Sequence, residues 1–385
     1  MKVIKREIEL RLNKFKETIK TQGLSVVLIF SPLNIFYFTH TFVRGVLIIS
    51  TEEVKLLVNR PWERAKKESL VPFEPLKSFK DLSLILKAWR GKALGLEINA
   101  LTPELYFKYQ ELLEDFQIKK VDYLILEQRM LKSFYEIFCI KRAGKFLAKA
   151  LRRALKKFKP GMSELLASAL LEKELRSLGH PGMVRSLYGF ELTYGHLLSG
   201  KEALEPIHFI TGQGGRGILG FPSGATAKRL RRREPILIDF AGYFRGYYID
   251  QTRMVSFGKV PQAEAYFKCA LNLLKVLEKE VKEGITASEV YEKALDLVQQ
   301  EGLKDYFMAH GEVLNFVGHG VGLQIDEPPA LAKNQKTVLK ENMVLALEPK
   351  FHVPNLGVIG IEETYLVTKR GLRALNSFPR DWVYL

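Results

Sequence analysis

The chain has 385 residues, with 59 lysines and arginines against 43 aspartates and glutamates, a formal net charge of +16, 47% apolar and 26% charged residues. That length exceeds a typical single core, so two domains are expected, and the composition is that of a globular protein. The opening "MKVIKREIELRLNKFKETIK" is too charged for a signal peptide and no apolar run approaches the roughly 18 residues of a membrane span, so a cytoplasmic location with no membrane partner is expected.

The opening segment has the pattern of an amphipathic helix. "LSVVLIF", "GVLIIS" and "VKLLVN" then read as strands, "RAKKES" and "LSLILKAWR" as helical, "ALGLEI" as a strand, "PELYFKYQELLEDF" as a helix, and "VDYLIL" as a closing strand. Strands alternating with helices imply a small α/β domain over residues 1–128. A long helical pattern from about Ser133 to Phe158 opens a second domain, 133–385.

That second domain contains an echo. "KPGMSELLASALLEKELRSLG" (159–179) and "KEGITASEVYEKALDLVQQEG" (282–302) each follow a long helix with Lys-x-Gly, an apolar residue, Ser163 or Thr286 as N-cap, and a second helix closing on Gly. Strand-like segments follow both, which implies two related α/β halves with a site between them. The basic excess raises a nucleic-acid role. The densest run, "KRLRRR" (228–233), lacks interleaved stacking aromatics and precedes an apolar strand, so it reads as a solvated turn and no specific nucleic-acid partner is expected. Cys139 and Cys269 lack metal-motif spacing, and no disulfide is expected in a reducing compartment.

"ILIDFAGYFRGYYIDQTR" (236–253) places Asp239 and Asp250 within an apolar, glycine-containing stretch. Read as a hairpin with Phe244-Arg245 at its tip, it makes the two aspartates cross-strand partners, close enough to require a proton or a cation between them. A surface hairpin with two solvated aspartates is the plain alternative. Three more candidates follow: His319 between Gly318 and Gly320, Glu348 ending the apolar "MVLALEP", and Glu362, which shares a strand face with Gly360 and Thr364. Four carboxylates and one imidazole are an oxygen-rich set that suits manganese, cobalt or iron better than zinc, and such a set could hold two divalent ions.

The segments "IDFAGYFRGYYIDQTR", "GHGVGLQIDEPP", "ALEP" and "GIEETYLVT" resemble the pita-bread metallopeptidases, the group of methionine aminopeptidase, prolidase, aminopeptidase P and the metal-free creatinase. "GLSVVLIFSPLNIFYFTHTF" is similar to the start of the creatinase-type N-terminal domain of prolidase and aminopeptidase P. The resemblance implies a creatinase-like α/β domain followed by a pita-bread domain of two pseudo-symmetric halves. It implies two metal ions, with Asp239 chelating one, Asp250 and Glu362 bridging both, and His319 and Glu348 completing the other. Thr252 matches the threonine that the family places behind its ligands. A metal-bridging hydroxide would attack a peptide carbonyl while Glu348 handles the proton, giving a metallopeptidase of Xaa-Pro type, by analogy a homodimer.

The chain also departs from that pattern. The two further histidines usual in prolidases and aminopeptidases P fall on Pro222 and Asp326, the family's "EPG" has become "EPK" at Lys350, and the arginine commonly two residues before the last glutamate is Gly360. A carboxylate at Asp326 facing a developing oxyanion would raise the barrier, so altered specificity is expected, with His196 and His208 as candidate replacements. The alternatives are a catalytically idle pita-bread binding protein and a creatinase-like amidinohydrolase.

Overall fold

The structure, a computed structural model, describes residues 2–208, 210–310 and 312–385. The chain divides into two compact units, Met1–Arg129 and Met130–Leu385. The first is built on a six-stranded mixed sheet in the order Phe73–Pro75, Val54–Arg60, Arg44–Ser50, Val26–Ile29, Ala93–Leu96, Gln117–Lys120. One face packs Val26, Leu28, Val46, Ile48 and Leu94 against Leu82, Leu86 and Tyr109 from helices. Buried Glu97, just past the strand Ala93–Leu96, accepts the backbone N–H groups of Phe30 (2.6 Å) and Ser31 (2.7 Å) at the start of helix Pro32–Thr39, and the Asn34 amide (2.5 Å).

One element differs from its expected type. "VDYLIL" lies in the helix Asp122–Met130, and the last strand is the preceding Gln117–Lys120. The buried residues Val121, Ile125 and Gln128, with Arg129 and Met130, recur at helical spacing. The Asp122 carboxylate accepts the backbone N–H groups of Ile98 and Asn99, which fixes the helix start.

The second unit repeats one design. Helix Phe134–Leu155 begins in a capping box between Ser133 and Glu136, and helix Pro261–Glu280 opens the second half. Each leads through a left-handed glycine, Gly161 (φ 84°) or Gly284 (φ 100°), into a helix capped by Ser163 or Thr286. Glycine tolerates that backbone region and other residues are strained there. The residue beside each turn bridges back to a later segment in the same way, Ser163 to Arg229 and Thr286 to Val338. Arg231, Arg232 and Arg233 are exposed, while Leu230 is buried and Lys228 pairs with Glu234 at 2.6 Å, so the solvated part of the basic run is its three arginines.

Each half then contributes an antiparallel-rich sheet. The first is ordered Val383–Tyr384, Thr252–Ser256, Ile236–Phe240, Gly195–Ser199; the second is ordered Glu327–Ala332, Phe316–Gly320, Val344–Leu347, Glu363–Thr368, Gly371–Ala374. A core that includes Leu237, Met254, Phe267, Leu274, Val290, Val317, Leu345 and Tyr365 joins them to the helices. Truncating such a residue costs about 2–5 kcal/mol, so the central strands that carry the polar residues stand on a stiff base.

Candidate functional site

The hairpin register decides what faces Asp239. Its tip is Arg245-Gly246, both at positive φ (49° and 98°), with Phe244 paired to Tyr247. A two-residue turn of this kind needs positive φ at both central positions and favours glycine at the second, which places the tip one residue beyond the expected one. Asp239 consequently pairs with Thr252, not with Asp250. On its other side Asp239 pairs with His196. Asp250 shares the face of Thr252 two residues earlier, so the two aspartates are diagonal neighbours.

In the second sheet, the pairing Ala346↔Thr364 continues as Lys350↔Gly360 in one register, in which Glu348 falls opposite Glu362. His319 pairs with Ala346 and joins the same face. Gly318 and Gly320 on either side of it allow this: a carbon on Gly318 would collide with the Ala346 carbonyl, and one on Gly320 with that of Pro328. The His319 Nδ1 faces the Gly320 carbonyl at 3.2 Å, which favours a proton on Nδ1 and leaves Nε2 as a ligand atom. Nε2 lies 3.4 Å from Glu348 Oε1 and 3.7 Å from Glu362 Oε1.

Ligand atoms of Asp250, His319 and Glu362 all lie within 4.8 Å of one another. Thr252 Oγ1 donates to Glu362 Oε2 at 3.0 Å, while Glu362 Oε1 is buried and accepts no hydrogen bond among the described residues. A buried carboxylate oxygen in that condition is costly unless a cation or proton meets it. Burial, with neighbouring Asp239, pushes the Asp250 carboxyl up to about 7, and burial with Asp250 pushes Glu362 well above the usual carboxylate range. These three residues therefore fit one divalent ion.

Asp239 and Glu348 are already answered. The Lys350 ammonium, fully buried, donates to Asp239 Oδ2 (3.0 Å), Glu348 Oε2 (2.8 Å) and Gln213 Oε1 (2.5 Å), and stands 3.7 Å from Glu362 Oε2. Burial alone would raise the Glu348 carboxyl; Lys350 and His319 outweigh it and hold the group at about 2. A second divalent ion on Asp239 and Glu348 would have to share both carboxylates with this fixed like charge.

The other candidates separate. His196 lines the same cavity as the carboxylates. Because Gln213 Oε1 receives Lys350, its amide nitrogen faces His196 Nδ1 (3.3 Å), which makes Nδ1 the acceptor and leaves Nε2 to donate to Ser223 Oγ at 3.1 Å. Burial pushes this imidazole below its ordinary value, with Asp239 opposing and Lys350 adding to the shift. His208 is exposed and borders a different depression with Phe221 and Pro222. Asp326 lines the cavity, yet its carboxylate accepts Ser186 Oγ (2.5 Å) and the Leu187 backbone N–H (2.6 Å), so it is spent on pinning that loop. The cavity measures about 120 Å³, and its walls include Val184, Leu192, Ile210, Phe316 and Ile325.

Reading the residues singly leaves Lys350, Gln213 and Ser223 out of the site. Lys350 had a signal, since alternation places residues 348 and 350 on one strand face. Gln213 and Ser223 come from an irregular loop with no periodicity to betray them.

Residues 139–369 match the Metallopeptidase family M24 and residues 11–131 match the Creatinase/Prolidase N-terminal domain. The Xaa-Pro dipeptidase of Pyrococcus furiosus is 29% identical over 376 residues, covering 96% of this chain and 99% of that one. The structure of the prolidase from Pyrococcus furiosus superposes with a TM-score of 0.77 at 27% identity, covering 94% of this chain and 99% of that one. That of the Xaa-Pro dipeptidase from Bacillus anthracis gives a TM-score of 0.84 at 23% identity, covering 98% of this chain and all (100%) of that one, and shows the shared fold. No helix among the described residues is long and apolar enough to cross a membrane.

Proposed function

We propose a reaction for this chain, which belongs to metallopeptidase family M24 and is a hydrolase of that family: it cleaves short peptides near a free N-terminus, with Xaa-Pro dipeptides as the leading substrate class and a specificity altered at Pro222 and Asp326. The observation that carries the reading is the buried, unmet Glu362 Oε1 beside Asp250 and His319 at an apolar cavity. Asp250, His319 and Glu362 would hold a divalent ion, manganese, cobalt or iron by the hardness of the donors. When bound, such an ion supplies Lewis acidity toward a carbonyl and makes water a better nucleophile at neutral pH.

The chain's own groups do the rest. Glu348 Oε1, on the cavity wall, is the atom assigned to take a proton from the attacking water, because Oε2 is committed to Lys350. Lys350, donating to the other oxygen of this carboxylate, makes it a weaker base than an unpaired glutamate. The apolar wall takes an aliphatic or prolyl side chain and excludes water. His196, whose Nε2 now donates to Ser223, lines the same cavity and is the candidate for orienting a substrate carbonyl.

The test is hydrolysis of Xaa-Pro dipeptides against a panel of other dipeptides by metal-loaded protein, followed in Asp326→His. Cleavage of some dipeptides, lost after chelation and recovered on metal return, supports the reading. Absence of cleavage across the panel with the ion bound overturns it in favour of an idle binding protein.

A further inference from the structure

We propose that the Lys350 ammonium is a built-in replacement for one of the two cations that the five-residue cluster invites, so that the chain binds a single divalent ion, on Asp250, His319 and Glu362. The inference deepens the hydrolase reading above and rests on it for the nature of the site.

The geometry of Lys350 is that of a counter-ion and not of a substrate-binding group. An ammonium has three N–H donors, and here all three are used, toward Asp239, Glu348 and Gln213. No proton remains to aim at a substrate oxyanion. Its charge stands between Asp239, Glu348 and Glu362, the carboxylates that face one another across the two halves of the domain. Two divalent ions in such clusters sit about 3.5–4 Å apart, so any ion close to Asp239 Oδ2 and Glu348 Oε2 would have to displace the nitrogen that now bonds both.

The side chain has nowhere to withdraw. Lys350 shows 0% exposure. A carbon added at Gly360, its cross-strand partner, would come within 2.7 Å of Lys350 Cγ. A carbon added at Gly212 would come within 2.7 Å of Lys350 Cδ and 3.1 Å of Nζ, and would collide with Glu348 Oε2. The Gly212 carbonyl is in turn met by His352 Nε2 at 3.0 Å. The lysine is thus seated between two glycine backbones and a glutamine. At 360 a side chain is excluded by the backbone itself, since a carbon there would also come within 2.5 Å of the Pro349 carbonyl oxygen, and the space this leaves is the space beside the lysine stem.

The experiment counts ions. Metal-free protein is titrated with cobalt(II) and with manganese(II), the stoichiometry is read by calorimetry and by metal analysis of the desalted protein, and the fold is followed by circular dichroism. The wild type is expected to take one ion per chain. Lys350→Gly is expected to take two, with affinity at the second site raised by at least about a thousandfold, the factor by which one unit charge about 4 Å away repels each unit of the ion's charge at protein dielectric. Lys350→Met keeps the bulk and removes the charge; its metal-free form should melt lower than the wild type and recover with a second equivalent of ion. Two tightly held ions in the wild type, or none, overturn the inference, as does a folded Lys350→Gly or Lys350→Met protein that still holds one. These outcomes are independent of peptide cleavage: a single-ion protein that cleaves nothing removes the hydrolase reading alone, and a two-ion protein that cleaves dipeptides removes only the role given to Lys350.

Discussion

Glu362 and Glu363 are neighbours in the chain, point to opposite faces, and enter two buried charge clusters of opposite character. Behind the sheet, Glu363 Oε2 accepts from Arg253 at 2.6 Å, and the other donors of that guanidinium reach the carbonyls of Thr252, Glu362, Phe378 and Pro379. Arg380 adds a second cation 3.4 Å from Glu363 and closes on Glu278. In front, Glu362 keeps one oxygen on Thr252 and leaves the other without a donor among the described residues. The difference lies in saturation. A buried charge whose every hydrogen bond is met holds the fold, whereas one left short marks where a cation enters.

Within the front cluster the same contrast recurs. Its Asp239 and Glu348 side has Lys350 as a counter-charge on one oxygen of each carboxylate, and its Asp250, His319 and Glu362 side has no hydrogen-bonded cation of that kind among the described residues.

The contrast breaks if the back cluster can be cut without penalty. Glu363→Ala leaves Arg253 buried with its charge uncompensated, and a loss of about 3–5 kcal/mol in unfolding free energy is expected in denaturant titrations. The remaining folded fraction should still take up metal. Glu362→Gln should do the reverse. Ion affinity should fall by a factor of about 100 or more, since a ligand is lost and not merely its support. The metal-free variant should be at least as stable as the wild type, because a buried carboxylate next to Asp250 has been neutralised. Equal ion binding in Glu362→Gln would show that the front cluster does not serve a metal.

Ion removal sharpens the comparison. At free ion of about 100 times Kd, chelation should cost about 2.7 kcal/mol of stability, and readdition should restore it. The pH dependence carries a definite sign. Asp250 has an ordinary value of 3.8 and is pushed up to about 7 in the metal-free fold. The folded state then binds more protons than the unfolded one between those values, so this group's contribution to metal-free stability is full below about 3.8 and is lost as pH rises through about 7. Ion affinity should run the opposite way, rising as pH passes through about 7, as the ion displaces that proton. A flat affinity from pH 5 to 8 would contradict it. The smallest effect is expected at the exposed Arg231, Arg232 and Arg233, where change to glutamine should alter stability by less than about 0.5 kcal/mol and leave ion binding and cleavage unchanged.

Much of this was legible before any fold was known. Period and capping residues located the helices that start after Ser133, Ser163 and Thr286, and strand alternation separated Glu362, in the front cluster, from Glu363, in the back one. Asp239, Asp250 and Glu348 stood out because a polar residue in or ending an apolar stretch has to be answered by something, His319 because glycines flank it, and Glu362 because its face neighbours are small. Local sequence states such facts because they depend on backbone geometry a few residues long.

The tertiary structure decided the rest. Parity fixes which face a strand residue takes but not which residue lies opposite, and the left-handed pair Arg245-Gly246 moved the partner of Asp239 from Asp250 to Thr252. Whether a buried carboxylate is satisfied depends on donors from distant segments, and those are set by packing. Lys350 is answered by Gln213, seated by Gly212 and made room for by Gly360, residues brought together by the closing of two sheets and a loop. A lysine in sequence is a charge of unknown address; only the folded chain, by removing water and fixing three acceptors around one nitrogen, makes it part of the site.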